Sequence, residues 1–230
     1  TQSRSSAASD VYKRQAEHNG LEKIASWRPD LIDGDFAILM EPTDGRVEGG
    51  CQGTMRFTLE VPGRAAHSAR SWVGHNAIHD LSAVLERLNR WQERDPFVEV
   101  DGLTFREGLN ATMLDAGVAG NVIPPTATIQ INYRFAPDKT TEQARQYMED
   151  LFHEWPMNVL DLSAPARPGL DRPLAKSFVA AVGGEPGPKY GWTDVARFGQ
   201  LGIPAVNFGP GNALCAHQAV SYTHLRAHET

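Results

Sequence analysis

Glu41 stands where an apolar run, Phe36-Ala-Ile-Leu-Met40, meets Pro42-Thr43. His217 follows a second apolar run, residues 203–208, and the turn Gly209-Pro210-Gly211. Loops at the ends of strands in α/β sheets collect ligands, and one carboxylate plus one imidazole suits zinc. Taken singly, each is also an ordinary solvated surface residue, and two ligands do not make a site. His67 lies in Pro62-Gly63-Arg64-Ala-Ala-His67-Ser-Ala-Arg70, a basic loop able to bind an anion or polarise a carbonyl. His75 and His79, four apart, would share one helix face. They lack the intervening Glu of a zincin and read as exposed. Arg134, beside Asn132 and Gln130 on the polar side of an alternating run, suits bidentate binding of a carboxylate. Thr193-Asp194 and Arg197 follow Gly191-Trp192 and start a helix, in which Asp194 would be an early helix charge or a cap.

The elements that must position these residues follow from periodicity. Residues 16–27 read as the end of a helix and 36–40 as a short buried strand, closed by Pro42. Gly45, Gly49 and Gly50 make a flexible join. Met55, Phe57, Leu59 and Val61 alternate with polar neighbours, which predicts a half-buried strand ended by Pro62-Gly63. A helix is expected from about Asn76, with Ile78, Leu81, Leu85 and Leu88 on its buried stripe. Residues 109–114 predict a second strand, and Ile129, Ile131, Tyr133 and Phe135 a third. A helix from about Thr141 would bury Ala144, Tyr147, Met148, Leu151, Phe152 and Trp155, and residues 159–162 predict a fourth strand. Strand-helix-strand-strand-helix-strand is the ferredoxin-like split unit. Pro165 and Pro168 form a stiff exit. A helix over 174–182 and a strand over 203–208 follow. The fold class expected is therefore α/β, with a partial α/β domain interrupted by a ferredoxin-like α+β insert.

The 230 residues carry a formal charge of −6, which argues against a general nucleic-acid binder. The two cysteines, Cys51 and Cys215, make no disulfide framework, and no apolar run is long enough to span a bilayer. A cytoplasmic protein with no nucleic-acid or membrane partner is expected. Residues 1–15 and about 220–230 are polar and aperiodic and look like adapter sequence, so the chain reads as truncated at both ends.

Several strings occur together and in order: DFAILMEPT, AAHSARSWVGHNAIH, GLNATMLDAGVAGNVIP, INYRFAP, SAPARPGL, GWTDVARFGQLGIPAVNFGPG and ALCAH. Over about residues 16–218 the chain resembles the succinyl-diaminopimelate desuccinylases, within the superfamily of co-catalytic zinc aminoacylases, deacetylases and carboxypeptidases. The resemblance implies an amide hydrolase with two zinc ions per subunit (cobalt as a substitute), a small-molecule substrate, and a homodimer made through the lid. It implies a lid over 51–166 and catalytic-domain segments over 16–50 and 167–219. By position, Glu41 and His217 match metal ligands, one on each zinc. His67 matches a lid histidine that binds the scissile carbonyl oxygen in the partner subunit's site. Asn121, Arg134, Thr193, Asp194, Gly209 and Gly211 match residues that hold or surround the substrate.

The sequence departs from that pattern in ways that matter. The family's His-x-Asp, bridging Asp and Glu-Glu pair have no counterpart in these 230 residues, and Pro125 follows Gly-Asn-Val-Ile-Pro where Asp is usual. The expectation is a chain without hydrolase activity as it stands. Alternatives are an acetylornithine deacetylase or related aminoacylase, or a non-catalytic dimerisation or ligand-binding module.

Overall fold

A computed structural model describes residues 20–212. The chain divides into two compact units, one from Gln52–Pro165 and one from the segments on either side of it.

The inner unit is a four-stranded antiparallel sheet with two helices. Its strands are β3 (Gly53–Pro62), β7 (Gly108–Ala116), β9 (Thr126–Phe135) and β10 (Met157–Ser163), in the order β10-β3-β9-β7. With α2 (Ala77–Gln92) after β3 and α3 (Thr141–Leu151) after β9, this is the ferredoxin-like arrangement. Alternation places Met55, Phe57, Leu59 and Val61 on the same covered face as Ile129, Ile131, Tyr133 and Phe135. Helix α2 starts where the Asn76 side chain accepts from Ile78 N at 2.9 Å. Helix α3 starts at a capping box in which Thr140 and Gln143 serve each other's backbone N–H groups.

Two expectations are corrected in α2. The buried stripe is Ala77, Leu81, Val84, Leu88 and Trp91, whereas Ile78 and Leu85 are 43% and 44% exposed. A helix lying on one sheet needs only a narrow stripe, and the seam here runs one position away from the expected one. His75 is not on the helix at all. It precedes the cap and pairs with Arg64 in an antiparallel bridge, while its Nε2 lies 2.5 Å from Asp80 Oδ2.

A hairpin absent from the sequence expectations joins α2 to β7: β5 (Phe97–Val100) and β6 (Leu103–Arg106). Its turn is Asp101-Gly102, both at positive φ (50° and 80°), the pairing that favours a two-residue hairpin.

Gly53 faces Phe135 across the ladder, and a Cβ there would sit 2.2 Å from the Phe135 ring. That ring is fully buried and has no room to turn aside. Gly53→Ala is expected to destabilise the chain by about 1–3 kcal/mol. A urea midpoint unchanged by the substitution would contradict this packing.

The outer unit holds α1 (Gly20–Trp27), β1 (Ala37–Leu39), β2 (Glu48–Gly49), α4 (Pro173–Val182), β11 (Gly187–Pro188), α5 (Val195–Gln200) and β12 (Ala205–Asn207). Its strands order as β1-β12-β2-β11, with β1 parallel to β12. Val47, Ala175 and Val206 form one small core, and Cys51, Val195 and Ala196 another. Burial pushes the Cys51 thiol up, so it behaves as a small apolar side chain. Among the described residues no helix is long and apolar enough to cross a membrane.

Candidate functional site

The parallel pair β1 and β12 delivers two loops to one place. Glu41 follows β1, and Gly209 follows β12. The loops are stitched by Thr43, whose hydroxyl accepts from Gly209 N at 3.1 Å and donates to Gly209 O at 3.2 Å. Asp44 N donates to Gly211 O at 2.7 Å, and Gly45 N to Gly209 O at 3.0 Å. Glycine is required at 209: a Cβ there would meet Glu41 O at 2.5 Å. Gly209 and Gly211 are thus brought against the Glu41 loop. Glu41 itself is half-buried, and its carboxylate has no partner among the described residues. A half-buried carboxylate on a pinned strand-end loop is a fitting oxygen donor for a divalent cation. His217 lies outside the described residues. Among the described residues no group of three or more His, Cys, Asp or Glu side chains could hold a metal.

Thr193 and Asp194 stand at the start of α5 in the same unit. Thr193 is buried, its carbonyl accepts from Cys51 Sγ at 3.6 Å, and its hydroxyl has no hydrogen-bond partner among the described residues. Asp194 makes no side-chain cap and instead pairs with Arg197 at 3.3 Å. Asp194 occupies the N-cap position of α5 without a side-chain cap bond, and the first turn of the helix carries no acidic residue.

In the inner unit, two short strands build a ribbon outside the main sheet. These are β4 (Ala66–His67) and β8 (Val122–Ile123), paired His67 to Val122 and Ala66 to Ile123. The ribbon sets His67 beside Asn121, with Nε2 and Nδ2 3.5 Å apart. Both side chains are exposed. Between β4 and α2 runs a 3-10 segment, Ser68–Val73, which leaves Trp72 76% exposed. The Arg64–His75 bridge closes the base of this loop with backbone bonds of 2.8 and 2.9 Å. Gly63 and Gly74 make that closure feasible, since a Cβ on either would sit under 3.0 Å from its surroundings.

Arg134 is elsewhere on the inner unit, on the polar side of β9. Its Nε donates to Asn132 Oδ1 at 3.1 Å, and Asn132 donates to Thr54 Oγ1 at 3.1 Å. The guanidinium is therefore oriented by an amide and a hydroxyl. Two features escaped the sequence reading: the buried Glu107, which carried no local signal, and the Thr43 stitch, which the Glu-Pro-Thr string could have suggested.

At the edge of the sheet, β7 is exposed from Asn110 to its end, with Met113 66% and Leu114 59% exposed. An uncovered apolar edge strand is a template for pairing with another chain.

Residues 50–154 match the family model of the peptidase dimerisation domain of the M20 type. A putative succinyl-diaminopimelate desuccinylase of Mycobacterium tuberculosis (strain CDC 1551 / Oshkosh) is 53% identical over 201 residues, covering 86% of this chain and 56% of that protein. The succinyl-diaminopimelate desuccinylase of Corynebacterium glutamicum (strain ATCC 13032) is 41% identical over 212 residues, 88% of this chain and 56% of that one. The chain thus spans little more than half the length of these relatives. Among solved structures, a tripeptidase from Staphylococcus aureus superposes with a TM-score of 0.60 at 19% identity, over 83% of this chain and 52% of the other. An M20 family metallo-carboxypeptidase from Sulfolobus solfataricus gives 0.59 at 16%, over 82% and 58%. At such identities the superpositions speak for the fold.

Proposed function

We propose that this chain, which carries a peptidase dimerisation domain and is homologous with succinyl-diaminopimelate desuccinylases, is part of a zinc-dependent cytoplasmic hydrolase that releases succinate from N-succinyl-LL-2,6-diaminopimelate. The observation that carries the reading is 53% identity to a putative enzyme of that kind over 201 residues. In it, residues 51–166 are the lid, and 16–50 with 167–219 belong to the catalytic domain. Glu41 and His217 would each hold one zinc, the other ligands coming from parts of the relatives that this chain does not span. Bound zinc supplies an activated water and polarises the scissile carbonyl. His67, in the partner subunit's site, donates to the oxygen that becomes negative. Arg134, whose Nε donates to Asn132 Oδ1, grips a substrate carboxylate. Asn121, Thr193, Asp194, Gly209 and Gly211 surround the substrate.

The test is a chimera in which the Mycobacterium tuberculosis relative supplies the segments this chain does not span. With added zinc it should release succinate from N-succinyl-diaminopimelate faster than acetate from N-acetylornithine. Preference for the acetyl substrate would move the reading to a deacetylase, and no turnover on either would favour a non-catalytic module.

Self-association through β7 is part of the same proposal. The chain should sediment as a dimer at micromolar concentration. Met113→Lys with Leu114→Lys places two charges on the edge and should weaken the dimer at least about tenfold without unfolding the monomer, since both side chains are exposed. A double variant that still sediments as a tight dimer would place the interface elsewhere.

A further inference from the structure

The backbone around His67 dictates the state of its ring. His67 is the N-cap of the Ser68–Val73 segment, with extended φ/ψ of −68° and 137°. Its Nδ1 accepts the backbone N–H of Ala69 at 3.1 Å, the bond a Ser or Asn cap makes with an oxygen. A nitrogen that accepts that bond carries no proton. The neutral imidazole has one N–H, so it must lie on Nε2. An imidazolium would set an Nδ1 proton against the Ala69 proton, and the Nδ1–H tautomer would do the same.

This excludes one arrangement of the neighbouring amide. Asn121 Nδ2 facing Nε2 at 3.5 Å would set two donors against each other. The two ends of a carboxamide have the same shape, and the hydrogen-bond network decides between them. Turning the amide over brings Oδ1 to the Nε2 proton. The ladder brings the two residues side by side. His67 pairs with Val122, and Ser68 N donates to Asn121 O at 2.9 Å. The ring thus meets the 3-10 segment at Nδ1 and the residue before β8 at Nε2.

We infer that the Ala69 backbone selects the Nε2–H tautomer of the neutral His67 ring, and that Asn121 is a positioning residue whose amide oxygen holds the Nε2 proton until a substrate oxygen takes its place. The inference deepens the proposed role of His67 and rests on that reading for its functional meaning. The lock delivers a donor rather than a base. A neutral Nε2–H can stabilise a developing oxyanion and has no lone pair there with which to abstract a proton. The role first given to Asn121, holding substrate directly, becomes an indirect one exercised through the ring.

The test needs neither substrate nor metal. The whole chain, labelled with 15N, is studied by NMR at about pH 9, above the ordinary imidazole range. The signal of His67 among the eight histidines is the one lost in His67→Asn, which keeps an oxygen cap for Ala69 N–H. The expected result is a single tautomer protonated at Nε2, with a through-hydrogen-bond coupling between Ala69 N and His67 Nδ1. A proton on Nδ1, or a tautomer mixture without that coupling, overturns the lock. Asn121→Leu should speed exchange of the Nε2 proton with water by about 2–10-fold, and Asn121→Asp, which keeps an acceptor, should not. Equal exchange in both variants overturns the role of Asn121. Catalysis by the chimera is measured separately, so failure of the lock and failure of the hydrolase reading are distinct outcomes.

Discussion

Glu107→Ala is expected to remove about 3–5 kcal/mol of stability from the inner unit, a large part of the roughly 5–15 kcal/mol that holds a domain folded. The Glu107 side chain is 2% exposed. Its Oε1 accepts from Ala136 N at 3.0 Å, from Tyr133 OH at 3.2 Å and from Lys139 Nζ at 3.0 Å, with Arg94 Nη2 3.8 Å from Oε2. Truncation strands a backbone N–H and a fully buried phenol, while Lys139 keeps Asp138 and Arg94 keeps the Tyr147 hydroxyl. Lys139 and Arg94 are partly exposed and can rehydrate, but Tyr133 and Ala136 cannot. Glu107→Gln keeps the shape and one acceptor oxygen and should cost less than half as much. Urea unfolding of the three proteins measures this. An alanine variant within about 1 kcal/mol of the parent would mean that water or a shifted side chain satisfies the cluster.

The same cluster sets an alkaline limit. Burial, then the Glu107 charge, raise the Tyr133 hydroxyl. Lys139 is also raised: its burial works against the charge, but Asp138 and Glu107 outweigh it. Both groups hold their protons more tightly folded than unfolded. Their contribution is therefore full below about pH 10 and declines above it as the unfolded chain releases protons.

The inner fold was legible because its strands alternate cleanly. Met55 through Val61 and Ile129 through Phe135 bury every second residue, as a sheet covered on one face demands. The seam of α2 was harder to locate. Ile78 and Leu85 are as apolar as Leu81, and only the position of the sheet decides which face turns inward. The β5–β6 hairpin had its signal in Asp101-Gly102. Glu107 had none, since nothing local distinguishes a buried glutamate from a solvated one. The Glu41 loop was legible as a strand end. Its contact with Gly209 depends on β1 and β12 being neighbours, a pairing between residues more than 160 positions apart. His67 was marked by its basic loop and by resemblance, while the tautomer of its ring depends on a cap that exists only in the folded loop.

In the chimera, His67→Ala is expected to lower kcat by about 10²–10³-fold, the loss typical of removing one donor from an oxyanion site. KM should move far less. An N–H aimed at a carbonyl oxygen gains strength as that oxygen takes on charge, so its removal costs the transition state more than the bound substrate. His67 is exposed, so no core collapses when it is shortened, and loss of its cap costs the fold only about 1 kcal/mol. His67→Asn separates the two effects. It restores the bond to Ala69 N–H and with it the stability, but its amide stops short of the Nε2 position. It should therefore fold like the parent and turn over like the alanine variant. His67→Gln reaches further and carries an N–H near the Nε2 position, so it should recover part of kcat while lacking the cap. If the partner subunit supplies this histidine, mixing His67→Ala subunits with subunits lacking Glu41 should form heterodimers with one complete site and regain activity. A His67→Ala variant with unchanged kcat and a raised KM would show that the ring merely binds substrate, and would remove it from the chemistry.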